Sequence, residues 1–224
     1  MRSFFKMLVG ISILLSACGG GDPEADAVGA FFNAVQKGDR AGVERVSIAP
    51  FDGKPESWEI VERGPESEAP FHLADLEAQL QSKRDEVRSQ KEETANFIGD
   101  NSDTYESYKS TYAKDPSAPF QGELLKFHEE LQERQGRLAQ IQADADQLAL
   151  DVETLKNAAT LSLRTPVDTS FEGQIKTKPL QVKVNEGSGD QTYTVLLQRY
   201  ELVDTGQNRS PTPQWIIAEI QPQG

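Results

Sequence analysis

A stripe of apolar residues repeats every three or four positions along residues 124–155, and it constrains the fold more than any other feature of the chain. Nine of its ten positions are apolar, and a single arginine interrupts it. The positions are Leu124, Phe127, Leu131, Arg134, Leu138, Ile141, Ala145, Leu148, Val152 and Leu155. This spacing places the apolar side chains on one face of a helix, and a face this long needs another helix to cover it. The repeat therefore predicts a long helix within a coiled coil.

A weaker stripe precedes this one and supplies the predicted partner helix. Its members are Leu73, Leu76, Leu80, Val87, Phe97, Ile98, Tyr105, Tyr108 and Tyr112. Two prolines within 114–119 break the helical pattern, so this segment is the predicted turn. The arms 71–113 and 120–157 are then nearly equal in length, as an antiparallel hairpin requires. An earlier end of the first helix, at 99–101, stays open.

Two short helices are predicted before this hairpin. Asp22 and Pro23 suit the start of a helix, and Gly38 suits its end. Between them, one apolar face is formed by Val28, Phe31, Phe32 and Val35. Asp39 is placed to cap a second, shorter helix. Residues 50–70 are rich in proline and predict a loop, with a short strand at 58–61.

The end of the chain has the alternating pattern of β-strands. Apolar and polar residues alternate along 161–165 and 180–184, and 191–203 and 215–220 are rich in β-forming residues. These segments predict four strands of an antiparallel sheet. The apolar helix and the sheet can cover each other. The predicted fold is therefore α+β, with N-terminal helices packed on a C-terminal antiparallel sheet and a long antiparallel coiled-coil hairpin inserted.

This pattern divides the mature chain into a base and an insertion. The base comprises 23–70 plus 158–224, and the insertion is the hairpin 71–157. Because the expected core partners are residues 28–46 and 160–220, we expect the base to fold without the hairpin.

The first 17 residues predict a secretory signal peptide. Arg2 and Lys6 precede the apolar run 7–15, which is shorter than the roughly 20 residues that span a bilayer. Small residues and the only cysteine, Cys18, follow. The segment 15–19 (LSACG) resembles a bacterial lipobox. The resemblance implies cleavage before Cys18, diacylglycerol on its thiol, and acylation, for example by palmitate, of its freed amine.

Two or three acyl chains anchor a protein stably to a membrane. Residues 18–22 would then be the lipidated cysteine and a glycine-rich tether. Gly19 is not the aspartate that, by analogy with the lipoprotein family, retains proteins at the inner membrane. The expected location is therefore the periplasmic face of the outer membrane, with the inner membrane or the outer face of a Gram-positive membrane as alternatives.

Charge and composition argue against several functional classes. The formal net charge of −13 leaves no basic face for nucleic acid. One cysteine and two histidines, His72 and His128, give no disulfide and no expected metal centre. No phosphate loop or catalytic signature occurs. We therefore predict no catalytic residues, no cofactor and no metal.

Aromatic residues are concentrated around the predicted turn of the hairpin. Tyr105, Tyr108, Tyr112 and Phe120 lie within 16 positions. Tyrosine combines an apolar ring with a polar hydroxyl and is enriched at protein interfaces. These residues either form a partner-binding tip or fill the seam between the two helices.

The two ends of the chain resemble the nuclear-transport-factor-2-like superfamily. The resemblance rests on the segment 27–46 (AVGAFFNAVQKGDRAGVERV) and on the segments 193–200 and 215–220. It implies a curved sheet wrapped on helices to form a cone, with Phe31, Phe32 and Trp215 at its pocket. The family includes enzymes and binding modules, so the fold alone implies no function.

The segment 161–175 (LSLRTPVDTSFEGQI) is similar to the strand that follows the α-hairpin in periplasmic adaptor subunits of efflux and secretion pumps. Too few residues follow it for the further domains of those proteins. Together, these features predict a non-enzymatic envelope lipoprotein that presents its hairpin to an envelope protein partner. The alternatives are a small-molecule-binding or catalytic cone and a periplasmic adaptor subunit.

Overall fold

The computed structural model describes residues 21–115, 119–187 and 189–223. Cys18 and the predicted signal peptide lie outside these residues. The described chain mixes helices with a five-stranded antiparallel sheet, in agreement with the predicted mixture of helices and antiparallel sheet. The elements are α1 (Pro23–Lys37), α2 (Arg40–Glu44), β1 (Ser57–Arg63), β2 (Ser67–Pro70), α3 (Leu73–Asp100), α4 (Ser102–Lys114), α5 (Gly122–Leu163), β3 (Phe171–Asn185), β4 (Asp190–Asp204) and β5 (Ile216–Pro222).

The two N-terminal helices begin and end where the sequence predicts. The Asp22 carboxylate accepts hydrogen bonds from the backbone N–H groups of the first turn of α1, and Asp39 does the same for α2. Gly38 ends α1 with a φ of 66°, a left-handed conformation that glycine adopts without steric cost. These caps satisfy backbone groups that a helix end leaves without partners.

The sheet has the strand order β1-β3-β4-β5, and β2 also pairs with β3. Its centre is the long hairpin of β3 and β4. The two strands pair without interruption, from Phe171 opposite Asp204 to Asn185 opposite Asp190. β1 lies within the segment 50–70 and contains the short strand predicted there. β2 was not predicted, because its four residues are polar or small and all are exposed.

The strand predicted at 161–165 is wrong, because α5 continues to Leu163. Ala158, Ala159 and Ser162 lie on the buried face of this last part of the helix. The Ser162 hydroxyl donates to the Gln214 carbonyl oxygen at 2.7 Å and accepts from the Tyr200 backbone N–H at 3.2 Å. The apolar alternation of this segment therefore belongs to a helix that reaches the sheet.

The first core cluster lies between α1 and the sheet, as predicted. Val28, Phe31 and Phe32 are fully buried in it. Their partners on the sheet are Leu180, Val182, Val184, Val195, Leu197 and Ile217.

The second core cluster lies on the opposite face of the sheet. On β4, Tyr200 and Leu202 belong to this cluster, whereas Val195 and Leu197 belong to the first. Successive side chains of a strand point to opposite faces, so the two pairs face opposite sides. The helical residues that cover this second face include Leu73, Leu80, Val152, Ala158, Ala159 and Leu163.

This second cluster changes the expectation that the base folds without residues 71–157. Leu73, Leu80 and Val152 fall inside the predicted insertion, yet they pack in one cluster with Phe171 and Ile175 of β3. The beginning of α3 and the end of α5 therefore cover a face of the sheet that would otherwise expose apolar side chains to water.

Beyond the sheet, α3 and α4 run antiparallel to α5. Lys156 contacts Glu77 at 2.7 Å, and the Phe97 ring stacks on Phe127 at 5.1 Å. α3 ends at Asp100, which settles the question of an early helix end left open above. The Asn101 side chain donates to the Phe97 carbonyl oxygen at 2.8 Å and closes this end of α3. Among the described helices, none is long and apolar enough to cross a membrane.

Candidate functional site

An aromatic cluster lies where α4 packs on the beginning of α5, and we call it the aromatic end. Tyr108 is at its centre. Its ring centroid lies 5.0 Å from that of Phe120, 5.7 Å from that of Phe127 and 6.0 Å from that of Tyr112. The other members are Phe97, Tyr105 and His128. The structure therefore brings together all four residues that the sequence singled out, together with three others.

The local sequence explains how these rings converge. Tyr105, Tyr108 and Tyr112 are three and four residues apart on α4, so they share one face of the helix. Phe120 lies just before α5, which begins at Gly122 with a φ of 58°. The chain reversal between α4 and α5 returns Phe120, Phe127 and His128 to the tyrosine face.

Exposure divides the aromatic end into an inner and an outer part. Phe127 is 4% exposed and belongs to the seam between the helices. Tyr112 is 47% exposed and Leu125 is 39% exposed. Of the four residues singled out from the sequence, Tyr105, Tyr108 and Phe120 are partly buried and only Tyr112 is exposed, so the seam and binding interpretations both stay open.

His128 is a member that the sequence analysis did not assign to the tip. Its Nδ1 lies 3.2 Å from the Tyr108 hydroxyl, and its ring centroid lies 4.8 Å from that of Phe120. Burial, followed by the two neighbouring tyrosines, raises the pKa of Tyr108 above its usual value. The Tyr108 hydroxyl therefore remains protonated and forms a hydrogen bond with the His128 ring.

Polar groups surround these rings. Lys109 pairs with Glu106 at 2.6 Å and also lies over the Tyr105 ring at 4.8 Å. The Thr104 hydroxyl donates to Glu123 at 3.4 Å. An apolar patch with a polar rim is the usual arrangement of residues that carry binding energy at protein interfaces.

The structure places the proposed pocket residues in the packed core. Phe31 and Phe32 have no exposed surface, and their ring centroids are 5.1 Å apart. Trp215 is buried as well, with the Arg199 guanidinium over its ring at 4.7 Å. Phe51 and Trp58, which the sequence analysis did not place in the core, pack on Phe32. These aromatic side chains fill the space that a pocket at this place would need.

Within the described ranges, no group of three or more histidine, cysteine, aspartate or glutamate side chains is arranged to hold a metal ion. Scans against protein-family models, curated proteins and solved structures found no match to this chain. The functional argument therefore rests on the sequence and on the geometry described above.

Proposed function

We propose that this chain is a non-enzymatic, lipid-anchored protein of the bacterial envelope. In this proposal α3, α4 and α5 form a coiled-coil hairpin, and its aromatic end binds another envelope protein. The observation that carries the proposal is the exposed Tyr112, whose ring packs on that of Tyr108 at the end of the aromatic cluster. Leu125, near the start of α5, is exposed as well. An exposed apolar surface that adjoins a rigid core is typical of a binding site.

The distance between the two ends of α5 supports this function. Ser162 contacts the sheet through Tyr200, whereas His128 lies in the aromatic end. At 1.5 Å per residue, these positions are about 50 Å apart along the helix. A hairpin of this length presents its aromatic end to partners far from the base.

Contacts at the start of α1 support the proposal that the base lies close to the membrane. The side chains of Asp22 and Glu24 pair with Arg63 at the end of β1, at 2.5 and 2.8 Å. Asp22, four residues after Cys18, is therefore held against the end of β1. If Cys18 carries lipid, so short a tether holds the base at the membrane surface and leaves the aromatic end as the most distant part.

Tyr112 replaced by a photo-crosslinking phenylalanine analogue is expected to capture one discrete envelope protein. The same analogue at Leu150 is the matched control, because Leu150 is the most exposed large apolar residue of α5, at 57%, and lies outside the aromatic end. We expect cross-linking at position 112 and none at 150, measured in intact cells by a gel shift and mass spectrometry. Equal capture at both positions would contradict a specific binding end.

Leu125→Ser is expected to abolish that cross-link without unfolding the protein, because changes at exposed positions usually alter stability by less than about 0.5 kcal/mol. Leu150→Ser serves as its control. Tyr108→Ser, by contrast, opens the ring cluster and is expected to lower the melting temperature. A cross-link that survives Leu125→Ser would mean that the outer residues do not bind the partner.

These experiments also bear on the two resemblances. A periplasmic adaptor subunit would likewise use a projecting hairpin, so a captured pump or channel protein would favour that alternative. The cone pocket is less well supported, since Phe31, Phe32 and Trp215 are buried among other side chains.

A further inference from the structure

A groove of about 660 Å³ lies between the end of α2 and the last turns of α5, away from the aromatic end. Ile48, Leu161 and Pro166 supply much of its apolar lining, and Arg45 and Arg164 line it as well. Its volume is in the range of small-molecule sites in proteins.

A second cavity of about 370 Å³ adjoins the groove. Ile48 lines both, and Leu76, Leu155 and Ala158 continue the apolar lining toward α3. Leu155, Ala158 and Leu161 are spaced by three residues along α5, so they follow one side of the helix. The two cavities together offer an elongated surface whose apolar lining runs from the two arginines toward α3, where Asp151 and His72 also line the second cavity.

The two arginines at that end have no acidic partner in the part of the chain that the structure describes. The acidic residue beside them, Glu44, accepts a hydrogen bond from Arg40 at 2.8 Å. Arg63 and Arg199 pair with carboxylates, whereas Arg84 and Arg209 have no ion pair among the described residues, so it is their place at an apolar groove that distinguishes Arg45 and Arg164. Two unpaired guanidinium groups at the mouth of an apolar groove are complementary to an anionic head group.

The backbone at Arg164 adds a second observation. Arg164 ends α5 with a φ of 52°, a left-handed conformation that usually falls to glycine at this place in a helix. A residue with a β-carbon is less stable there than glycine. The chain nevertheless has an arginine at this position. Residues held in unfavourable backbone conformations are often found at functional sites.

We propose that this groove binds a long-chain fatty acid. The carboxylate lies between Arg45 and Arg164, and the acyl chain passes over Ile48 and Leu161 toward the second cavity. The arginine fork matches the geometry of a carboxylate, and the apolar lining removes the chain from water. This binding does not depend on the proposed partner at the aromatic end, because the two places are at opposite ends of α5.

Hexadecanoic acid carrying a diazirine near its methyl end tests the proposal. Membranes that contain the full-length protein are irradiated with this probe, and the labelled peptides are mapped by mass spectrometry. We expect label on peptides that contain Ile48, Leu155 or Leu161, and competition by unlabelled hexadecanoic acid. Label spread evenly over the protein, or competition by methyl hexadecanoate as strong as by the acid, would overturn the proposal.

The arginine variants test the role of charge. Arg45→Gln and Arg164→Gln are each expected to reduce labelling about three- to tenfold, and the double variant to abolish it. Arg164→Lys is expected to retain much of the labelling because it keeps the charge. Arg209→Gln is the matched control, since Arg209 is also exposed and without an ion pair among the described residues. Unchanged labelling of a folded double variant, checked by circular dichroism, would refute the site.

Discussion

Deleting residues 71–157 is expected to unfold the remaining chain, whereas deleting only 93–135 is expected to leave it folded. The larger deletion removes Leu73, Leu80 and Val152 from the second core cluster. Each such side chain contributes about 1.5–3 kcal/mol when buried. Their combined loss, together with Leu76 and Leu155, approaches the whole stability of a typical domain, about 5–15 kcal/mol.

The smaller deletion retains every residue of that cluster. It also keeps the next contact along the helices, where Val87 packs with Ile141 and Ala145. A short glycine-serine loop can join positions 92 and 136, because antiparallel neighbouring helices are commonly connected by 2–8 residues. Thermal unfolding followed by circular dichroism distinguishes the variants. A cooperative transition in the larger deletion would mean that the sheet folds without its helical cover.

The sequence predicted the features whose signals are local. The capping residues Asp22 and Gly38 define the ends of α1, and the structure agrees. β4 coincides closely with its predicted range because β-branched, aromatic and aliphatic residues are frequent along it. Both faces of β4 contribute to a core cluster, which is why its apolar residues do not strictly alternate.

Other features depend on contacts that no local pattern encodes. β2 is a strand only because Lys176 and its neighbours on β3 pair with it. The i, i+2 spacing of Leu161 and Leu163 favours a strand, but Ala158, Ala159 and Ser162 have the spacing of a buried helical face, and the contact of Ser162 with the sheet belongs to that face. Short apolar runs are ambiguous in this way until their tertiary surroundings are known.

The same distinction applies to the candidate sites. The tyrosines of α4 are close in sequence, so their helical spacing alone predicted a shared face. The proposed fatty-acid groove is lined by Arg45 and Arg164, which are far apart in the chain and line one groove only in the folded protein. Phe31 and Phe32 were assigned to a pocket, but how tightly a core is packed cannot be read from the identity of its residues.

Cys18→Ala is expected to abolish acylation and cleavage by signal peptidase II completely. The thiol is the atom that would carry diacylglycerol, and alanine offers no nucleophile for that linkage. The variant should lack acyl groups and remain uncleaved by signal peptidase II. Mass spectrometry of the N-terminal peptide and fractionation of membranes measure both effects. Ser16→Ala is the matched control, because it keeps a small residue before the cysteine and should be processed normally.

The size of this effect follows from the physics of anchoring. One acyl chain holds a protein only marginally, whereas two or three hold it stably. The acidic chain has little electrostatic attraction to anionic lipid. The uncleaved variant keeps the apolar run 7–15, which can itself hold the chain at the membrane, so the deciding readout is the mass of the N-terminal peptide. A wild-type mature N-terminus without acyl groups, or normal cleavage before position 18 in Cys18→Ala, would exclude lipid on Cys18 as the anchor.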